Sequence, residues 1–207
     1  MAFPTTVSGS YGWEKQTTSA QRQVLGAEMA FADGRKYRYV ENGGTAIEEG
    51  MIVASEAPAG NHDEDLAVAT TAAGASSVTV TLGATAAAKN LYAEGYLFFN
   101  LPTLSTAGSR VFYKIKSHPQ ADGSATLALT LDEPDKTVIA VTNGTETAGL
   151  IKSPYKDIVV APAAVAGRFV GLAACQIAAN YFGWVQVAGM GVAAIDGTPA
   201  VGTLVGD

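Results

Sequence analysis

The feature that most constrains this chain is its punctuation. Turn-forming pairs recur roughly every 8–15 residues, and the stretches between them are short and rich in β-branched and aromatic residues. Asp33-Gly34 is the clearest case, separating Met29 and Phe31 from Tyr37 and Tyr39, each pair alternating with other residues. Such a pair predicts a two-residue hairpin turn, because both central positions tolerate positive φ. Asn42-Gly43-Gly44 marks the next turn, and Ile47, Met51 and Val53 suggest a third strand. Further strands are predicted over 77–82, 92–100, 111–115, 125–131, 138–141, 158–160, 169–173, 181–187, 192–195 and 201–205. In 125–131 the alternation of Leu127, Leu129 and Leu131 is strict. Only 84–89 could make a helical turn, and no longer segment has a helical period. The expected fold class is all-β: short-stranded barrel or sandwich units, with an extended N-terminal arm.

The arm is residues 1–24, polar and rich in Ser, Thr, Gly and Gln, with no apolar period. Tyr11 and Trp13 stand out in it as candidate contacts to another surface, or to the arm's own domain. The rest divides in three. The stretch 66–152 has its own set of short strands, flanked by loops at 56–65 and 143–154. It is expected to be a β unit inserted into a discontinuous one made of 25–65 plus 153–207. In that arrangement the N-terminal hairpin pairs with the C-terminal strands.

Composition narrows the function classes. Of 207 residues, 13 are Lys or Arg and 19 Asp or Glu, so no basic footprint for nucleic acid exists and none is expected as a partner. Cys175 is the only cysteine, which excludes an internal disulfide and a multi-cysteine zinc site. The most apolar region, 158–195, is interrupted by Pro162, Arg168, Gln176, Asn180 and Gln186, so no transmembrane helix is expected. Residues 1–16 lack a basic start followed by an apolar run, and no secretory signal is expected there.

Catalytic chemistry is thin. His62-Asp63-Glu64-Asp65 is the densest polar cluster, but consecutive residues cannot all converge on one cation, and it reads as a solvated loop. His118, before Pro119, reads as a loop residue rather than a general base. Ser109, His118 and Asp122 could be assembled into a triad on paper, without any nucleophile elbow to support it. Gly189-x-Gly191-x-x-Ala194 matches a dinucleotide fingerprint in letters only, because no helix pattern follows. Asn143-Gly144-Thr145 reads as a turn. No enzyme activity, cofactor or metal is expected.

Two stretches resemble a group of tailed-phage virion proteins, the capsid decoration (cement) proteins. The first runs from Leu25-Gly26 through Asp33-Gly34-Arg35-Lys36-Tyr37-Arg38-Tyr39 to Asn42-Gly43-Gly44-Thr45-Ala46 and Glu49-Gly50. The second is Asn180-Tyr181-Phe182-Gly183-Trp184-Val185-Gln186-Val187 with Gly189 and Asp196-Gly197-Thr198. Gly95-Tyr96-Leu97 and Tyr113-Lys114-Ile115-Lys116-Ser117-His118-Pro119 are similar as well. The likeness is one of overall pattern from about residue 11 onward. It implies a protein made in the host cytoplasm that sits on the outer surface of the capsid, often as a homotrimer, and clamps neighbouring copies of the major capsid protein. Tyr11 and Trp13 would then be capsid-contact residues of the arm. Two rivals follow from the residues: a tail- or fibre-associated structural protein, and a carbohydrate-binding β module using Trp184 and Tyr181 if they lie exposed on one sheet face.

Overall fold

The computed structural model describes residues 6–100, 112–132, 136–162 and 167–194. Its strands are β1 (Thr6–Ser8), β2 (Glu28–Ala30), β3 (Lys36–Glu41), β4 (Ile52–Ala54), β5 (Leu66–Val68), β6 (Ser77–Thr81), β7 (Tyr96–Asn100), β8 (Phe112–Ser117), β9 (Thr126–Leu131), β10 (Thr147–Ile151), β11 (Val159–Val160), β12 (Phe169–Ala173) and β13 (Phe182–Ala188). A single 3-10 turn, Trp13–Lys15, is the one helical piece among the described residues. The protein is all-β.

Two compact units divide the chain: unit 1 is residues 1–57 with 154–207, and unit 2 is 58–153. The boundaries thus fall at 57/58 and 153/154, where the sequence suggested 65/66 and 152/153. The 58–65 loop belongs with the barrel because His62 is buried in it. In unit 1, seven strands form one sheet in the order β1-β2-β3-β13-β12-β4-β11. β3 pairs antiparallel with β13 and β4 with β12, so 36–54 is laddered to 169–188. Unit 2 is a closed barrel, β10-β5-β6-β9-β8-β7.

The barrel follows directly from alternation. Leu127, Leu129 and Leu131 of β9, Val78 and Val80 of β6, and Leu97 and Phe99 of β7 all point into one buried cluster with Tyr113 and Ile115. Closing the sheet buries that face and removes its edges. Unit 1 instead has apolar residues on both faces. Tyr37, Tyr39, Phe182 and Trp184 build one cluster; Val40, Ile47, Val53, Ile177 and Val185 build the other.

One local device recurs in both units. Three isolated bridges, Ile47 with Ile177, Thr71 with Val141 and Ala87 with Ala121, are nested in the sequence. In each, the two residues exchange both backbone hydrogen bonds, at 2.8–3.0 Å. After every bridge residue comes the same β-turn. The carbonyls of Glu48, Ala72, Ala88, Asp122, Thr142 and Ala178 accept from the N–H groups of Met51, Ala75, Leu91, Ala125, Thr145 and Tyr181. The third residue of each turn, three beyond the bridge, has positive φ: Gly50, Gly74, Asn90, Ser124, Gly144 and Asn180. That position is the one a type II turn requires to be left-handed. Each such clip passes the paired chains from one ladder to the next: β3–β13 to β4–β12, then β5–β10 to β6–β9, then to β7–β8. Within each unit the clips thus join successive ladders into a doubled antiparallel ribbon, and in unit 2 the extra ladder β10–β7 closes that ribbon into the barrel.

Several expectations are corrected. The Asp33-Gly34 hairpin uses a three-residue loop: Phe31 carbonyl accepts from Gly34 N–H, Phe31 N–H donates to Arg35, and only Gly34 has positive φ. This is a type I turn with a glycine bulge. Residues 84–89 form no helical turn but carry the Ala87 clip, and 138–141 contributes only the Val141 bridge. β5 and β10 were not expected, and β10 lies in what read as a connecting loop. Residues 192–194 form no strand, and 195–207 lie outside the described residues.

The N-terminal segment is described from Thr6. From Thr6 on it is laid along unit 1: β1 runs parallel to β2, and Thr18 bridges to Phe182. The reason is a tertiary anchor invisible to local composition. Glu14 is buried, its carboxylate accepting from Gly12 N–H at 2.7 Å and standing 4.0 Å from Arg35. The Arg35 guanidinium lies over the rings of Tyr11, Phe31 and Tyr37 at 5.5, 5.1 and 6.0 Å. Residues 1–5 lie outside the described residues.

Candidate functional site

Both histidines are buried and hydrogen-bonded. His62, expected on a solvated loop, is fully buried beside Tyr92 of the barrel core. Its Nε2 meets the Thr85 carbonyl at 2.8 Å, so that nitrogen must carry the proton, and Nδ1 accepts from the Tyr92 hydroxyl. His118 is buried as well. Its Nδ1–H donates to the Pro119 carbonyl at 2.7 Å, and its Nε2 accepts from Tyr92 N–H at 2.9 Å. Tyr92 therefore sits between two imidazoles, its phenol bonded to one and its backbone to the other. Burial, with the Asp63 charge behind it, pushes the Tyr92 phenol well above the usual tyrosine range. Asp63, Glu64 and Asp65 stay exposed and do not converge with His62. Asp122 is exposed in a clip turn, and Ser109 lies outside the described residues. Among the described residues no three His, Cys, Asp or Glu side chains gather as a metal site needs. Nor is any helix there long and apolar enough to cross a membrane.

The surfaces are more informative. On the outer wall of the barrel, β7 lies between β10 and β8. The register places Ile151, Tyr96 and Lys114 in one row and Gly149, Phe98 and Phe112 in the next. All six positions point away from the barrel core, whose inward partners are Leu97, Tyr113, Ala148 and Leu150. Phe112 is 59% exposed and Ile151 42%. The rings form a contiguous patch, with Phe112 6.2 Å from Tyr96 and 6.1 Å from Phe98, and the Lys114 ammonium 5.2 Å from the Tyr96 ring. Gly149 makes room for it: a Cβ there would collide with the edge of the Phe98 ring and with the Asp63 carbonyl. No sequence signal marked this patch, because outward aromatics on a short strand look like core residues until the register is known.

Tyr11 and Trp13, named from the sequence as a pair, part company in unit 1. Tyr11 is 72% exposed and leans on Phe31 under Arg35. Trp13 is 44% exposed and stands over a small pocket whose other side includes Tyr39 and Trp184. Trp184, sought as an exposed ring, is buried against Tyr39 at 5.0 Å between centroids; Tyr181, partly exposed, does not line that pocket. Gly189 ends β13 at positive φ, and the described residues after it form no helix, so it does not open a dinucleotide site. No family model, curated protein or solved structure matches this chain.

Proposed function

We propose that this chain is a non-catalytic structural protein of a tailed-phage particle, a capsid decoration protein that binds the outer surface of the shell and stabilises contacts between major capsid subunits. One observation supports the reading beyond the resemblance of sequence pattern: the aromatic patch of Tyr96, Phe98, Phe112 and Ile151 on the barrel wall. Phe112 and Ile151 are exposed there beside the half-buried rings of Tyr96 and Phe98, and such an apolar patch on a sheet face favours protein–protein association. Tyr11 offers a second contact on unit 1. Two contacts on one chain gain by multivalency, and a homotrimer repeats them threefold, so contacts that are weak singly hold a subunit in place. Neither histidine is offered as a base, since each ring nitrogen described above is engaged by Tyr92 or a backbone carbonyl.

The test is to add the purified chain to expanded shells of the phage that encodes it, lacking their own copy, and to image them. Saturating occupancy at distributed capsid positions, reduced at least tenfold in affinity by Phe112→Ser with Ile151→Ser, supports the proposal. Absence of binding, or density confined to a ring or axis of the tail, overturns it, the latter in favour of the tail or fibre reading.

A further inference from the structure

We propose that the pocket beneath Trp13 is a binding site for a single pyranose ring of a glycan. The pocket lies wholly within unit 1 and encloses about 230 Å³. That is smaller than the roughly 300–1,000 Å³ of sites for drug-sized ligands and suits one sugar ring. Its aromatic side chains are Trp13, Tyr39 and Trp184, and its polar ones include Gln16, Arg22 and Gln23.

The chemistry of these two sets matches the two kinds of surface on a pyranose. Aliphatic C–H faces of the ring pack on aromatic faces, and Trp184 is a fixed platform, buried and braced edge-on by Tyr39. Trp13 is the exposed counterpart on the 3-10 turn. Equatorial hydroxyls need donors and acceptors around the rim, which amides and a guanidinium supply. The Tyr39 hydroxyl is held in place by accepting from Arg22 N–H at 3.0 Å.

Gln23 gives the sharpest indication. Its Oε1 is buried and has no hydrogen-bond partner. A buried acceptor left unpaired is costly, and since Gln23 lines the pocket, turning its amide toward a sugar hydroxyl would satisfy it. Three aromatic rings could also cage a methylated ammonium. Here the lining holds Arg22 and no carboxylate, so a cationic ligand meets a like charge. A neutral or acidic sugar does not.

The chain carries its own reporter, because its only two tryptophans, Trp13 and Trp184, both line this pocket. The full chain is titrated with methyl glucoside, methyl galactoside, N-acetylglucosamine and glucuronate to about 50 mM, the range in which weak monosaccharide sites saturate, while tryptophan emission is followed. At least one sugar should give a saturable change, confirmed by calorimetry. Trp13→Ala should weaken that binding about tenfold, and Gln23→Leu should abolish it with the far-ultraviolet spectrum unchanged. Should Gln23→Leu fail to fold, Arg22→Ala, on an exposed side chain, takes its place with the same expected loss. No saturable response to any of the four sugars overturns the proposal. So does a response that survives both variants, or one given by trimethyllysine and not by sugars. The isolated chain suffices throughout, so the result is independent of any capsid.

Discussion

The two units are built from the same doubled ribbon and the same clip turn, yet one ends as an open sheet and the other as a barrel. The difference lies in the outward-facing residues. In the barrel, β6 and β9 alternate cleanly, with Val78, Val80, Leu127 and Leu129 inward and Thr79, Thr81, Ala128 and Thr130 on the other face. A sheet with one apolar face can bury it by curling on itself. In unit 1, β3 and β13 are apolar on both faces, and such a sheet must be covered on both sides and stays open. Its edges are correspondingly short: β1 has three residues and β11 two. Short edge strands limit the backbone offered to stray pairing. The barrel has no edges, and its sticky feature is instead the aromatic patch on its wall.

The comparison breaks most completely if the barrel cannot stand alone. Its ladders close within residues 58–153, so that fragment, expressed by itself, is expected to give a β spectrum and one cooperative thermal transition. The complementary chain, 1–57 joined to 154–207 through a short flexible linker, should keep the blue-shifted emission of a buried Trp184. A fragment 58–153 that is unfolded in circular dichroism would show that closure alone does not stabilise the barrel.

The next effect concerns Tyr92 of the barrel and appears in alkali. Because burial raises the Tyr92 phenol, the unfolded chain ionises near pH 10 while the folded one does not. A raised folded value means that the contribution is complete below pH 10 and is lost as pH rises above it. The slope is about 1.4 kcal/mol per pH unit until the folded group itself ionises. Tyr92→Phe is expected to remove Tyr92's share of the alkaline loss and leave that of the buried Tyr37 phenol in unit 1. At neutral pH it should also cost about 1–3 kcal/mol, since His62 Nδ1 loses its donor. Urea titrations at pH 7, 10 and 11 read both. A variant whose alkaline loss equals that of the parent chain would show that Tyr92 is not its source.

Much of this fold was legible in the sequence, and what was not has physical causes. Alternation found β9, whose burial alternates strictly, Tyr37 and Tyr39 beside the Asp33-Gly34 turn found β3, and aromatic and β-branched content found β13. β10 escaped because Thr147-Ala148-Gly149 carries small residues; a Cβ at Gly149 would collide with the Phe98 ring on the neighbouring strand and with the Asp63 carbonyl, a nonlocal requirement. The six turns of the three clips escaped because their third residues differ in type, Gly, Asn or Ser, and share only a backbone angle. His62 was read as solvated from its acidic neighbours, whereas its environment is set by Tyr92 and Thr85, far along the chain. Of the candidate sites, Tyr11 and Trp13 could be named but not placed. The barrel patch needed the register, and the pocket needed Trp13 and Trp184 brought together from opposite ends of the chain.

A smaller effect should appear only in unit 1. Asn42 is buried, and its Nδ2 donates to the carbonyls of Thr45, Ile177 and Ala178 at 2.9, 2.8 and 3.0 Å, pinning the Ile47–Ile177 clip. Ile177 and Ala178 each keep a backbone donor without it, from Ile47 and Tyr181. Asn42→Ala is therefore expected to cost about 1–2 kcal/mol, the lower part of the range for a buried polar deletion. The loss should show in tryptophan emission and leave the barrel's Tyr92-dependent alkaline transition where it was. Equal loss in both would mean that the two units unfold as one.

The smallest effects test whether the clips are one device in both units. Gly74 and Gly144 have φ of 83 and 82°, and a Cβ at either would meet nothing within 4 Å. Alanine there is opposed only by the left-handed backbone, about 1 kcal/mol per site. Ser124 occupies the equivalent turn position at φ 61° and already bears that strain, so Ser124→Gly should stabilise the barrel by a comparable amount. Asn90 and Asn180, at φ 60°, tolerate the conformation through local side-chain bonding, and Asn→Gly at either should change stability by no more than a few tenths of a kcal/mol. Denaturant midpoints for the set, read by tryptophan emission for Asn180 in unit 1 and by tyrosine signals for the barrel sites, are expected to order as Ser124→Gly, then the asparagine variants near the parent, then the alanine variants. If Gly74→Ala and Gly144→Ala unfold no earlier than the parent, the positive φ shared by the six turns does not govern how the ribbon is clipped.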